Sequence, residues 1–126
     1  MPKNKDCIFC NIKKEQLIYE NKTWKAIYDG YPVSRGHILV IPKRHINSII
    51  ELKELEKDQL HETIKIIYSI LKEIYHPDGI NIGINEGAAA GQTIPHLHIH
   101  IIPRYNGDME NPKGGVRGVI PNKQKY

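Results

Sequence analysis

The sequence predicts an α+β domain: a five-stranded antiparallel sheet with one long helix packed on one of its faces. Three observations carry the prediction. Five short runs have strand-like composition, one long stripe of apolar residues recurs at helical spacing, and turn-forming residues leave only short links between them. The 126 residues fit one domain of ordinary size, 1–126.

Leu17-Ile18-Tyr19-Glu20 and Lys25-Ala26-Ile27-Tyr28-Asp29 read as two strands joined by an Asn21-Lys22 turn. His37-Ile38-Leu39-Val40-Ile41, bounded by Gly36 and Pro42, reads as a buried strand, and Tyr31-Pro32 with Arg35-Gly36 makes the loop before it. Leu60, Ile64, Ile67, Leu71, Ile74 and Tyr75 form the apolar stripe of the helix. Ser48 and Glu51 are spaced as a capping box, so a first helical turn is expected near Ile49, while Pro77 and Gly79 end the segment. Ile80 to Asn85 alternates as a half-buried strand, Gly87 to Gly91 is a small-residue loop, and His96 to Ile102 is the last clear strand, closed by Pro103. Residues 103–126 form a loop-like tail in which a short strand is expected over Val116 to Ile120.

Composition narrows the function classes. The 40% hydrophobic and 25% charged residues are those of a soluble globular protein, and no apolar run approaches the roughly 20 residues that cross a bilayer. Met1-Pro2-Lys3-Asn4-Lys5-Asp6 is polar and leads into no apolar core, which argues against a secretory leader and for a cytoplasmic protein. The net charge of +4 favours anionic ligands such as phosphates. The basic residues are spread too evenly to mark a nucleic-acid partner.

Cys7 and Cys10 are spaced C-x-x-C. A disulfide suits a reducing cytosol poorly, and a thioredoxin-like pair belongs in a βαβ setting that these residues lack. A zinc site needs further ligands, and seven histidines are available, so zinc is the best of the three readings.

His96, His98 and His100 alternate along one strand, so they share a face while Leu97, Ile99 and Ile101 point to the other. A single strand histidine is usually a solvated polar residue; three in strict alternation are hard to obtain that way. Two chemistries want such a row: metal ligation, which can leave an open position for water, and covalent catalysis by one imidazole oriented by its neighbours. The outer pair of a regular strand would lie about 13 Å apart, too far to share one metal, although adjacent pairs could contribute.

Gly91-Gln92-Thr93-Ile94-Pro95-His96-Leu97-His98-Ile99-His100-Ile101-Ile102 resembles the signature of the histidine-triad family, in which histidines alternate with apolar residues. Asp29 through His45 is similar to that family's other signature region, Cys7-Ile8-Phe9-Cys10 resembles its zinc-bearing members, and Asn85-Glu86-Gly87 sits where the family commonly has a polar residue. The likeness covers nearly the whole chain.

The resemblance implies a nucleotidyl hydrolase or transferase. His98 would attack the α-phosphorus of a purine nucleotide and form a nucleotidyl-histidine intermediate that water resolves. His100 would lie beside the phosphate and His37 would handle protons. Asn85, Gln92 and Thr93 would contact the phosphate and leaving-group bridge, and Asp29 the ribose hydroxyls. Cys7, Cys10, His45 and His96 would hold a structural Zn2+, making residues 1–15 a zinc-binding segment. The substrates implied are adenosine phosphoramidates or diadenosine polyphosphates. His100 argues against the galactose-1-phosphate uridylyltransferase branch, which usually has Gln there.

The resemblance also implies a homodimer joined through the helix and an edge strand. Ile66, Tyr68 and Ile70 permit a second apolar helix face. The tail resembles some microbial members of the family, and Arg104 and Arg117 are candidates for distal phosphates, against the plain reading of a solvated basic tail. Two rival functions are a zinc-dependent metallohydrolase built on the histidine row and a non-catalytic nucleotide-binding adaptor.

Overall fold

The computed structural model describes residues 4–126, so Met1 to Lys3 of the polar N-terminal stretch lie outside the described residues. Its strands are β1 (Leu17–Glu20), β2 (Trp24–Tyr28), β3 (Ile38–Pro42), β4 (Gly79–Gly83) and β5 (Ile99–Arg104), with one long helix, α1 (Glu54–Ile74). They form the expected five-stranded sheet, in the order β1-β2-β3-β5-β4, and every neighbouring pair is antiparallel. Asn21 makes the first hairpin. Its Oδ1 accepts from the backbone N–H of Thr23 (3.1 Å) and Trp24 (2.9 Å), and its Nδ2 donates to Thr63 Oγ1 on α1 (2.8 Å).

The strand alternation divides the sheet into two apolar faces. Trp24, Ala26, Ile38, Val40, Ile99 and Ile101 lie under α1, against its fully buried Ile67 and Leu71. Ile27, Leu39 and Ile41 point the other way and are covered by the N-terminal segment through Cys7, Phe9 and Cys10. The apolar stripe read from the sequence thus packs one face, while the second face is left for a short segment without strand structure.

The helix starts later than the capping box suggests. Ser48 and Glu51 do form that box, with Glu51 Oε2 accepting from Ser48 N (3.0 Å), but it closes only a 3₁₀ turn over Ile49–Glu51. The α-helix proper is anchored by Glu56. Its carboxylate takes both Arg44 Nε (3.0 Å) and Arg44 Nη2 (2.9 Å) as well as the Lys53 N–H (2.7 Å), and its carbonyl accepts from Trp24 Nε1 (2.8 Å). At the other end His76 takes the left-handed conformation (φ +51°), and Pro77 follows.

Two expectations are corrected. The last strand begins at Ile99, not His96. Pairing with β3 stops at Val40↔Ile99, and Leu97 N–H donates instead to Ile46 O (2.7 Å), drawing the chain off the ladder. The inside-outside alternation survives the bend, since Leu97 stays under the helix with Ile99 and Ile101. Residues 116–120 are not a strand. Gly114 and Gly115, at φ +91° and +46°, turn the chain into a 3₁₀ helix over Gly115–Val119, held by Arg117 N→Gly114 O (3.0 Å). Among the described residues, no helix is long and apolar enough to cross a membrane.

The Arg44 guanidinium beside Glu56 holds its carboxyl below the usual carboxylate range, against the opposing effect of burial. Because the folded value is the lower one, the stabilisation is present above the unfolded value and drains away as pH falls through the folded one. Glu56→Gln is therefore expected to cost about 1–3 kcal/mol at pH 7 and to flatten the loss of stability between about pH 5 and 3, measured by urea unfolding at each pH.

Candidate active site and metal centre

His37, His98 and His100 meet on the sheet face away from α1, in a cavity of about 680 Å³ whose walls also include Asp29, Asn85 and Thr93. β5 carries His100, the bend before it carries His98, and His37 immediately precedes β3. The Leu39↔His100 register brings β3 and β5 side by side at this point.

Hydrogen-bond direction fixes the imidazole tautomers. His98 Nδ1 lies 2.8 Å from the His96 carbonyl, which can only accept, so Nδ1 carries the proton and Nε2 presents a free lone pair. The Val33 backbone N–H donates to His37 Nδ1 (3.1 Å), so the His37 proton sits on Nε2. That Nε2–H lies 2.9 Å from His100 Nδ1, which accepts, leaving His100 with its proton on Nε2. A one-way chain thus runs from Val33 through His37 to His100 and ends in an N–H donor. The His98 and His100 rings are 5.2 Å apart between centroids, and both border the cavity.

Burial pushes both His37 and His100 below the ordinary imidazole range. For His100, the neighbouring His98 and His37 push the same way. Asp29 opposes this from 3.4 Å (to His37 Nε2) and 3.8 Å (to His100 Nδ1). Its other oxygen accepts from Tyr31 N (2.8 Å), which holds the carboxylate at the cavity edge.

Gln92 is placed differently from Asn85 and Thr93. Its side chain accepts from Gly87 N (2.8 Å) and donates to Asn47 Oδ1 (2.7 Å) and Ile94 O (3.1 Å), bracing the loop that spans the two cavity residues. Arg104 is bound by both oxygens of Asp108 (2.8 Å each) and by Asn81 Oδ1 (2.7 Å). Arg117 donates to the carbonyls of Lys123 (2.8 Å) and Gln124 (3.2 Å) and lies over the Tyr126 ring. Both arginines are engaged in shaping the tail, and neither borders the histidine cavity.

His96 leaves the row altogether. It is fully buried, and its Nε2–H donates to Pro42 O (2.8 Å), so Nδ1 offers the lone pair. That nitrogen lies 3.3 Å from Cys7 Sγ, 3.5 Å from Cys10 Sγ and 3.1 Å from His45 Nδ1. Cys10 Sγ lies 3.1 Å from His45 Nδ1. A tetrahedral ion at Zn–N and Zn–S bond lengths would separate such donors by about 3.3–3.8 Å, so the four residues fit a zinc ion with only small adjustments. The His96–Pro42 bond is the outer hydrogen bond that orients a ligating imidazole. Burial pushes the Cys7 thiol up, so a bound metal would have to displace its proton.

Asp29, His37 and His100 also converge to within 4.8 Å, but their protons point the wrong way for a metal. The Val33 N–H occupies His37 Nδ1, so Nε2 must keep its hydrogen; a metal there would set two donors against each other. No ligand group among the described residues brings His96, His98 and His100 together on one ion.

Sequence reasoning missed the apolar wall of the cavity, formed by Ile8, Phe9, Ile12, Ile27 and Leu39. The alternation of β2 and β3 could have placed Ile27 and Leu39 on the histidine face. Nothing in the sequence points to the carbonyls of Pro42 and His96 or the amide of Val33, because every residue type supplies them.

Zinc at about 100 times its Kd is expected to stabilise the protein by about 2.7 kcal/mol, read from thermal unfolding with and without a chelator. Cys10→Ser should lower the melting temperature in zinc and remove most of that response. An unchanged response would mean that zinc binds elsewhere.

The HIT domain model matches residues 11–107. The chain is 39% identical over 113 residues to an uncharacterized HIT-like protein of Methanocaldococcus jannaschii, covering 86% of this chain and 87% of that one. It is 38% identical over 94 residues to bis(5'-adenosyl)-triphosphatase of Saccharomyces cerevisiae, covering 72% of this chain but 45% of the yeast protein. It thus spans about half the length of that enzyme. A Zn-bound histidine triad family protein from Mycobacterium smegmatis superposes with a TM-score of 0.73 at 37% identity, over 84% of this chain and 80% of that one. With the family model spanning most of the sequence and the histidines arranged as described, the chain belongs to the HIT domain family.

Proposed function

We propose that this protein is a nucleotide hydrolase that cleaves at the α-phosphorus of a purine nucleotide through a nucleotidyl intermediate on His98. The observation that carries the reading is the His98 Nδ1–H···O=C bond to His96, which leaves Nε2 as a free lone pair beside the His100 donor. In the first step His98 Nε2 forms a bond to the α-phosphorus and the bond to the leaving group breaks. In the second, water attacks the same phosphorus, the P–N bond breaks, and the nucleoside monophosphate leaves with His98 restored. His100 Nε2–H donates to the phosphate, His37 Nε2–H holds the His100 ring in that tautomer, and Asn85 and Thr93 line the phosphate region. Asp29 accepts from the ribose hydroxyls at the cavity edge, while Gln92 acts through the loop it braces.

Dinucleoside polyphosphates are the favoured substrate class over adenosine phosphoramidates. Support comes from the yeast relative named as a bis(5'-adenosyl)-triphosphatase and from a second cavity, about 740 Å³, which shares Val33 and Asn85 with the first. The metallohydrolase reading is disfavoured by the proton direction at His37. An adaptor without catalysis would have no use for a lone pair and a donor set side by side. Zinc is assigned to Cys7, Cys10, His45 and His96 as a structural ion, and two unpaired cysteines in that role suit a cytoplasmic protein. A homodimer is supported by the one-sided edge strand β4 and by the exposure of Ile66 on α1.

Intact-protein mass spectrometry after mixing with diadenosine triphosphate, without acid quenching, is expected to show a transient adenylyl adduct that His98→Ala lacks. Turnover without an adduct that collapses when metal is removed would replace this reading with metal-dependent hydrolysis. For the assembly, sedimentation at micromolar concentration should give a dimer, and Ile66→Glu should shift it to monomer. A wild-type monomer would refute the dimer.

A further inference from the structure

The metal loop and the nucleophile are in direct contact. Outside the histidine row, the aromatic partner of the His98 ring is Phe9, whose ring meets it at 4.9 Å between centroids and 61° between planes. Its hydrogen-bonded nitrogen is held by the carbonyl of His96, a member of the Cys/His cluster. Phe9 itself sits between Cys7 and Cys10, is buried, and also meets the His96 ring edge-on at 6.0 Å and 87°. One restraint on His98 is therefore the backbone of a cluster residue, and the other is a side chain carried between two more of them.

The loop has little else to fix it. The internal hydrogen bonds of residues 4–11 run within the segment, such as Cys7 N→Asn4 O (3.1 Å) and Asn11 Nδ2→Cys7 O (2.7 Å), and no sheet partner holds its backbone. Its attachment to the sheet is made by side chains: the two cysteines at His45 and His96, and Phe9 with Ile12 on the apolar face. Ile8, the residue between Cys7 and Phe9, lies at the open side of the cavity wall and is 62% exposed.

We propose that Phe9 is a positioning residue for His98, and that the metal at Cys7, Cys10, His45 and His96 sets the orientation of the nucleophile through Phe9 and the His96 carbonyl. The proposal rests on the reading of His98 as nucleophile for its kinetic consequence only; the orientation of the ring is a separate observable. A nucleophile must meet phosphorus opposite the leaving group, so a ring freed to tilt loses rate without losing substrate. Metal occupancy would then tune turnover as well as stability.

The test compares zinc-loaded wild type, Phe9→Ala and Phe9→Tyr, each with and without chelator, using imidazole 15N spectra of His98 and the rate of adenylyl-adduct formation from diadenosine triphosphate. Zinc-loaded Phe9→Ala is expected to show moved or broadened His98 signals. Its adduct formation should be about ten- to a hundredfold slower, with KM nearly unchanged, and Phe9→Tyr should recover most of the rate. Chelation should move the His98 signals strongly in wild type and weakly in Phe9→Ala. Wild-type signals and rates in zinc-loaded Phe9→Ala would overturn the proposal. So would a slower rate that only tracks a lower melting temperature while the His98 signals stay in place. If the chelated protein unfolds, the zinc-loaded variants decide alone. If no form, wild type included, gives an adduct, the nucleophile assignment fails, and the ring signals still decide the positioning claim.

Discussion

His96 is buried without access to water, and each of its polar groups has a partner. Its backbone N–H goes to Ile94 O (2.9 Å), its carbonyl to His98 Nδ1 (2.8 Å), its Nε2–H to Pro42 O (2.8 Å), and its Nδ1 to the cysteines and His45. A buried imidazole without such partners would be strongly destabilising. Satisfying it fixes where β3 ends, where the N-terminal segment docks and how His98 turns. The bend that takes residues 96–98 off the sheet ladder follows from the same demand: His96 must reach Pro42 O while Leu97 donates to Ile46 O.

Donor direction then assigns two histidine clusters to two chemistries. At His96 a carbonyl outside the cluster takes the proton, and the lone pair faces inward toward thiols, as metal ligation requires. At His37 an amide N–H outside the cluster takes the lone pair, and the proton faces inward toward another imidazole. Both clusters bring two imidazoles and further ligand-type groups within 4.8 Å of one another. What differs is whether the backbone offers an acceptor or a donor, so a count of converging ligands alone would not separate a zinc site from a proton-directing chain.

The same distinction explains what was legible in the sequence. The sheet, the helix stripe from Leu60 to Ile74 and the two faces of residues 96–101 follow from periodicity, because a residue's burial depends on its own side chain and its neighbours' spacing. The helical turn expected near Ile49 is present as a 3₁₀ turn capped by Ser48 and Glu51, but the start of α1 was not legible because it depends on Arg44 reaching Glu56 across the fold. The strand expected at 116–120 failed because two positive-φ glycines start a 3₁₀ turn instead. Within the site, the histidines and cysteines were visible as types and His96 could be read as a metal ligand only by family likeness. Along an ideal strand it belongs with His98 and His100. That the opposite nitrogen of His98 donates to a backbone carbonyl follows from the need for an unprotonated nucleophile, but which carbonyl it is, and the tautomers of His37, His96 and His100, depend on the backbone atoms of Val33, Pro42 and His96.

Neither Arg104 nor Arg117 borders the cavity, since both are engaged in the tail; Lys5 and Asp6 stand at its wall with the histidine N–H donors. Burial, which keeps His37 and His100 neutral, is what makes that arrangement workable, since a charged imidazole there would be desolvated and repelled by its neighbours. Neutral donors fixed by hydrogen bonds need no reorganisation when charge develops on a phosphate, and in a partly buried cavity they act through a low effective dielectric. An arrangement that depends on orientation needs rigid supports, and at His98 the supports are the backbone carbonyl of the buried His96 and an aromatic ring carried between two cysteines.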